Sequence, residues 1–365
     1  MSRESELVRA LTSGRYALIG AGQLGEMSLA MWPQDVPKPE FILDSVRTGQ
    51  LDGIEIKPLV GHMHIPGVTY LLSAFKMPPA DIRAIFAGVG QADIITIYDF
   101  FEQHTPALFT NGWRDLSSSL EDQERAHRLP DYFADDLSRQ ICSAVNAWRF
   151  RRELPDDYPV SGEEKKYDLR LHGRGGWHYD VIYDGGAYDL GLLKYLSKAN
   201  ISWGRVVAFE PDPACAVRCI ENLASWSEQG HTVDRRALSD KAGTAPFLAS
   251  GLLSSRLIET GDVDPNILTE VETVILDDLH LSADSDGPKR ILLKLHIEGA
   301  ELPALQGAEA LLQSHAVDVL VNLSHDKRSW LEIPEFLASL GRHDLFLHSH
   351  ALFGEGLTLF ARYRS

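Results

Sequence analysis

Apolar residues along the chain fall into short blocks, each followed by glycines and then by a stretch in which apolar positions recur at helical spacing. The pattern opens this way twice: Tyr16–Gly20 leads into Ala21–Gly25, and Val181–Tyr183 leads into Asp184–Gly186. Each opening is followed by a second apolar block ending in an acid, Asp44 after Phe41–Leu43 and Glu210 after Val206–Phe209. That is the β–α–β start of a nucleotide-binding sheet. Two starts predict two α/β domains: a smaller Rossmann-like domain over 1–115 and a larger one over 165–365, with a connector carrying a helix over 116–164.

In the N-terminal part, Thr69–Leu72 and Ile94–Tyr98 read as further strands and Asp81–Gly88 as a short helix. Ser117, Ser118 and Ser119 open a polar segment running to about Arg128. In Tyr132–Glu153 the residues Leu137, Ile141, Ala144, Val145 and Trp148 follow helical spacing, and Leu154-Pro155 ends the helix. The glycine-rich run Arg170–Trp177 punctuates the entry to the second domain. Its strands are expected at Val181–Tyr183, Arg205–Phe209, Thr232–Ala237, Ile291–Leu295 and Val317–Asn322. Helices are expected at Leu190–Ser197, Ala214–Trp226 and Leu302–Leu312. Asp344–His348 and Thr358–Tyr363 are too close in sequence for a parallel crossover and suit an antiparallel pair at a sheet edge.

Composition narrows the function classes. The 365 residues carry a formal net charge of −17, which repels nucleic-acid backbones and anionic membranes at long range, so neither is expected as a partner. No apolar run approaches the ~18–20 residues of a membrane span, and Met1–Ala10 has no signal-peptide core; a cytoplasmic location is the expectation. Cys142, Cys215 and Cys219 form neither a disulfide framework nor a zinc spacing and read as small buried hydrophobes. The oligomeric state is not legible.

The second glycine turn, Asp184-Gly185-Gly186-Ala187-Tyr188-Asp189, follows a strand, where missing Cβ atoms let a ligand approach the backbone. Glu210 lies 26 positions after Asp184 at the next strand end, where a carboxylate can accept both ribose hydroxyls of an adenosine. An acid at the turn would repel a pyrophosphate, so the site matches S-adenosylmethionine, with its ammonium and sulfonium, better than a dinucleotide. The sequence resembles the FkbM family of methyltransferases in four ordered segments: DGGAYD at Asp184–Asp189, VVAFEPDP at Val206–Pro213, ALSDKAG at Ala237–Gly243 and LLKLHIEGAELPALQGA at Leu292–Ala308. The resemblance covers roughly Tyr179 to Tyr363. It implies a class I, Rossmann-like, seven-stranded methyltransferase sheet, S-adenosylmethionine as cofactor and methyl transfer to oxygen. By the same resemblance Asp184, Gly185, Gly186, Ala187, Tyr188, Glu210 and Asp240 would contact the cofactor.

Lys294-Leu295-His296-Ile297-Glu298 ends a buried strand, and alternation predicts Lys294, His296 and Glu298 on one side, facing the ligand cleft. Methyl transfer to a hydroxyl needs an aligned nucleophile and often a base, a role that suits histidine near neutral pH. His296 stands where the family's K-I-D-V-E-G run has an aspartate, so it either replaces that carboxylate as base or substrate ligand or marks an altered activity. Lys294 and Glu298 can also be read as an ion pair bracing the strand end. Asn322 stands where the family often has glutamate, and the nearby His325 could face the same pocket. Two histidines are not a metal signature, and no metal is assigned. Leu190 also departs from a glycine common in the family's first turn, and Gly251–Ser255 reads either as a substrate-side loop or as a plain surface loop.

The first turn is a full G-x-G-x-x-G, Gly20, Gly22 and Gly25, with Asp44 placed 19 positions after Gly25 for a ribose. This dinucleotide fingerprint sits in a short domain with no hydride-transfer residues of its own. The expectation is a separate Rossmann-like domain that does not hold S-adenosylmethionine, its nucleotide binding left open; His62 and His64 read as loop residues. Three functions remain: a methyltransferase acting on a small-molecule or glycan hydroxyl, an NAD(P)-dependent oxidoreductase using the first turn, and a non-catalytic S-adenosylmethionine- or nucleotide-binding protein.

Overall fold

The computed structural model describes residues 14–60, 62, 64–78, 80, 81, 84, 94–104, 119–161, 167, 177–224, 226, 230–249, 256, 257, 268–283 and 289–364. Gly251–Ser255, most of Asp81–Gly88 and most of Arg170–Trp177 lie outside these residues. The chain divides into two compact units, one of Met1–Arg114, Ala147–Val160 and Ala351–Glu355, the other of Asp115–Asn146, Ser161–His350 and Gly356–Ser365. The helix Asp136–Arg151 therefore contributes to both.

The first unit is built on strands β1 (Tyr16–Ile19), β2 (Phe41–Asp44), β3 (Gly49–Leu51), β4 (Ile54–Pro58), β5 (Thr69–Leu72) and β6 (Ile94–Thr96). They form one sheet in the order β3-β4-β2-β1-β5-β6, parallel except for the edge strand β3. The strands read from the sequence as second and third are β2 and β5, with the hairpin β3–β4 between them in the chain. Its residues are half polar and alternate in burial, and so gave no apolar block to find. Helix α1 (Gln23–Ala30) follows the glycine turn. The strand expected over Ile94–Tyr98 stops at Thr96 and becomes helix α2 (Ile97–His104). Thr96 caps that helix: its backbone N–H and hydroxyl donate to Asp99, and its hydroxyl accepts from the Asp99 N–H, a capping box that outweighs β-branched strand propensity.

The second unit holds a seven-stranded sheet, ordered β16-β17-β15-β14-β7-β8-β9, from β7 (His178–Gly185), β8 (Ser202–Phe209), β9 (Thr232–Asp234), β14 (Arg290–Leu295), β15 (Ala316–Asn322), β16 (His343–Ser349) and β17 (Leu357–Tyr363). Only β17 runs against its neighbours, and the β16–β17 pair forms the edge. A smaller sheet adds β10 (Ala237–Leu238), β11 (Gly243–Leu248), β12 (Arg256–Leu257) and β13 (Thr269–Val274) in the order β10-β13-β11-β12. The strand expected over Thr232–Ala237 is thus two strands in two sheets. Asp234 breaks it by accepting from the Arg236 N–H at 3.0 Å and pairing with the Arg236 guanidinium at 2.6 Å. The helix expected over Leu302–Leu312 is also split, into Glu301–Gln306 and Glu309–Ser314. Between them Gly307 lies so close to the Ser239 carbonyl that a Cβ would stand 2.2 Å from it.

The core of this unit packs Ile182, Leu193, Leu196, Val206 and Leu292 with Cys219. The three cysteines are free and buried; burial pushes Cys215 up to about 11 and Cys219 up to about 12, which suits inert packing groups. Among the described residues no helix is long and apolar enough to cross a membrane.

Candidate active site

Strands β7, β8 and β14 are adjacent and parallel, so their carboxyl ends open together on one cavity of about 230 Å³. Gly186 to Asp189, Glu210, Lys294, His296 and Glu298 line it, with Leu238, Phe247 and Leu257 of the smaller sheet. The glycines serve the fold before any ligand. A Cβ on Gly186 (φ +70°) would stand 2.0 Å from the His296 carbonyl, and one on Gly185 2.9 Å from the Leu295 side chain. The missing side chains therefore let the turn lie against the end of β14, while Gly186 also lines the cavity. Ala187, Tyr188 and Leu190 complete the turn, the last two in left-handed conformations at φ +50° and +60°. Leu190 adopts this backbone at the position where the family's glycine would adopt it without cost.

The acids of the turn are not an open rim. Asp184, 1% exposed, pairs with Lys294 at 2.8 Å. Lys294 also donates to the Gly185 and Gly186 carbonyls at 3.1 and 2.7 Å, so it straps the glycine turn to β14. Burial opposes its charge, but Asp184 and the other acids nearby outweigh that and raise its pKa. Asp189 accepts from Gly191 and pairs with Lys194 at 3.0 Å. The ion pair considered for Lys294 and Glu298 is therefore corrected: Lys294 is committed to Asp184. Glu210 behaves differently. One carboxylate oxygen accepts from the Tyr188 N–H at 2.9 Å and the other from the Asp212 N–H at 3.1 Å, while burial raises its pKa above the usual carboxylate range. Asp240 is not among the residues lining the cavity; Ala237 and Leu238, earlier in the same segment, are.

At the other end, β14 stops at Leu295, so strand alternation does not extend to His296 and Glu298. They reach the cavity because the chain turns sharply through Glu298 (φ +56°) and Gly299 (φ +106°). The Glu298 carboxylate receives two imidazoles, His296 Nε2 at 3.3 Å and His325 Nε2 at 3.2 Å. Behind it His325 Nδ1 pairs with Glu301 at 2.8 Å, and Glu301 also accepts the Ile297 and Gly299 N–H groups at 2.8 and 2.9 Å. Burial alone would raise the Glu298 pKa; hydrogen bonds from His296 and His325 outweigh it and hold the carboxyl far below its usual range. Burial would likewise lower the His325 pKa, and Glu301 and Glu298 instead raise it well above 6.5. Glu301 was not singled out from the sequence, although it lies three residues after Glu298. Asn322 folds back to accept the Ser324 N–H at 2.7 Å.

Residues 184–343 match the family profile described as methyltransferase FkbM domain. The chain carries an FkbM methyltransferase domain. A crystal structure of methyltransferase FkbM from Methylobacillus flagellatus KT superposes with a TM-score of 0.67 at 16% identity, over 97% of this chain and 93% of that one. An O-methyltransferase from Bacillus cereus in complex with SAH gives a TM-score of 0.34 at 14% identity, over 68% of this chain and 93% of that one. An rRNA methylase from Streptococcus thermophilus gives 0.31 at 8% identity, over 52% and 90%. No curated protein matches the chain.

The fold likeness to the Methylobacillus FkbM methyltransferase spans the first unit too, but the first glycine turn is closed on itself. Asp44, expected to take a ribose, accepts the Ala21 N–H at 2.7 Å on one oxygen and the Val46 and Arg47 N–H groups at 2.8 Å on the other. Burial would raise its pKa, and these N–H groups lower it. A Cβ on Gly25 would stand 2.3 Å from the Gly20 carbonyl and one on Gly20 2.8 Å from that of Ser73, so both glycines serve packing; Gly22 faces open space. His62 bonds to the Tyr70 hydroxyl at 3.1 Å, consistent with a structural loop residue.

Proposed function

We propose that this methyltransferase uses S-adenosylmethionine and methylates a hydroxyl of a small molecule or glycan. The observation that carries the reading is that one cavity joins Glu210, at the end of β8, to the His296–Glu298 pair beyond β14. The residues fit the cofactor. Each Glu210 oxygen accepts one backbone N–H, and an ionised carboxylate oxygen has room for about two acceptor bonds, which leaves capacity for a ribose diol. Leu238, Phe247 and Leu257 suit a purine face, and the backbone from Gly186 to Tyr188 borders the remainder. A dinucleotide fits less well, because Lys294 is already paired to Asp184 and offers a pyrophosphate no charge. Asp44 accepts three N–H groups of its own turn against two for Glu210, which leaves it less capacity for a ribose at the first turn.

S-adenosylmethionine bound there would supply an electrophilic methyl group. The protein's own part is to hold the acceptor hydroxyl at the His296–Glu298 end, aligned and shielded from water, and to draw off its proton there. Titration calorimetry with S-adenosylhomocysteine should give one binding event. Glu210→Gln should weaken it by about 10- to 150-fold, the equivalent of ~1.5–3 kcal/mol for a hydrogen bond to a charged group. Absence of binding to the wild type would refute cofactor use, and unchanged affinity in the variant would remove Glu210 from the site. Turnover against a panel of hydroxylated acceptors then identifies the substrate class.

A further inference from the structure

The geometry points to a divalent transition-metal site formed by His296, Glu298 and His325 at the acceptor end of the cavity. One ligand atom from each of the three side chains can be chosen so that all lie within 4.8 Å of one another. Both imidazoles present Nε2 to the same carboxylate oxygen, Glu298 Oε1, at 3.3 and 3.2 Å. An ion bound at ~2.1 Å by nitrogen and carboxylate ligands sets neighbouring ligand atoms about 3.0–3.4 Å apart in octahedral or tetrahedral geometry, and the two imidazole–carboxylate spacings match that.

A second observation is independent of the cluster's spacing. Glu301, fully buried, holds His325 Nδ1 at 2.8 Å and is itself fixed by two backbone N–H groups. With Nδ1 held by Glu301, Nε2 is the nitrogen left to face Glu298, where an ion would take the place of the proton it shares with that carboxylate; this is the carboxylate–histidine arrangement that orients metal-bound imidazoles. Glu298 is held in place by a left-handed backbone at φ +56°, which costs energy in a residue other than glycine and is found where a side chain must be aimed. Two imidazoles and one carboxylate suit Zn²⁺, Fe²⁺ or Mn²⁺ rather than Ca²⁺ or Mg²⁺. Three protein ligands leave open positions, and His296 and Glu298 line the cavity, so the open side faces the acceptor. The ion's role rests on the methyltransferase reading above: it would bind the acceptor oxygen and weaken its O–H bond.

The test needs no turnover. The full-length protein, dialysed against chelator, is titrated with Co²⁺ alone and followed by visible absorption and calorimetry. One equivalent should bind with the ligand-field bands of a low-coordinate nitrogen–oxygen site. His296→Ala and Glu298→Gln should each weaken binding by more than the ~10–100-fold typical of losing an outer-sphere partner, and Glu301→Gln by about that amount. Circular dichroism confirms that each variant is folded. Absence of saturable binding, or unchanged affinity in both His296→Ala and Glu298→Gln, overturns the site. Calorimetry with S-adenosylhomocysteine on the same samples reads the cofactor separately, so loss of one assignment is distinguishable from loss of the other.

Discussion

Lys294 offers the sharpest test of how the site is held. Its ammonium and the Asp184 carboxylate are 6% and 1% exposed and lie 2.8 Å apart, with two carbonyls of the glycine turn also bonded to the ammonium. Replacing Lys294 by methionine keeps much of the volume and removes the charge. Asp184 is then a buried carboxylate without its ion-pair partner, and Gly185 and Gly186 each lose a donor. Breaking a buried pair from one side costs about 3–5 kcal/mol, most of it the penalty of the stranded charge. Asp184→Asn added to Lys294→Met removes that charge, so the double variant should recover at least ~1–2 kcal/mol of the loss. Urea unfolding of the wild type, both single variants and the double variant gives the cycle directly. A cost below about 1 kcal/mol for Lys294→Met, or a double variant no more stable than the single one, would refute the reasoning and return Lys294 to the list of groups that act on substrate.

Three further outcomes follow from particular contacts. Gly186→Ala should destabilise the second unit and abolish cofactor binding, because its Cβ would stand 2.0 Å from a backbone carbonyl at φ +70°; thermal unfolding with and without S-adenosylhomocysteine checks both. His296→Ala should cut turnover by roughly 10²–10⁴ while leaving cofactor affinity unchanged, since the side chain sits at the acceptor end; steady-state kinetics beside calorimetry separates the two. Burial outweighs the bond of His343 to the Val317 carbonyl and lowers its pKa below 6.5. The unfolded chain therefore binds more protons just below that value, and stability should fall as pH drops from 6.5 through the folded-state pKa. Urea midpoints of His343→Gln should show that part of the slope removed.

What could be read from the sequence was whatever a contiguous run encodes. Each of the strands β1, β7, β8, β14 and β15 holds a short apolar run, and the ends of several carry the glycines and acids that gave away the cavity. Contacts between strand ends were not readable. His325 meets Glu298 and Glu301 only because β14 and β15 run parallel side by side, and the Lys294–Asp184 pair likewise needs β14 beside β7. Side-chain capping decided other misses: Thr96 with Asp99 converted an apolar strand end into a helix, and Asp234 with Arg236 divided one apparent strand between two sheets. Leu238, Phe247 and Leu257 reach the cavity from the smaller sheet, whose short, half-polar strands carry no distinctive period.

The acids around the cavity, alike in the sequence, are separated by what the fold sets beside each. Asp184 is neutralised by Lys294, Asp189 by Lys194, and Glu298 and Glu301 share His325. Glu210 instead meets backbone N–H groups, and burial rather than a paired cation dominates its pKa. Hydroxyls are better partners than a cation for such a group: they satisfy its lone pairs without requiring a second charge to be desolvated. At the opposite end the carboxylates are held with imidazoles, and His296, which lines the cavity, carries a ring nitrogen able to exchange a proton. The methyl transfer to a hydroxyl proposed above would use this division, with Glu210 toward the cofactor and His296 where the acceptor would lose its proton.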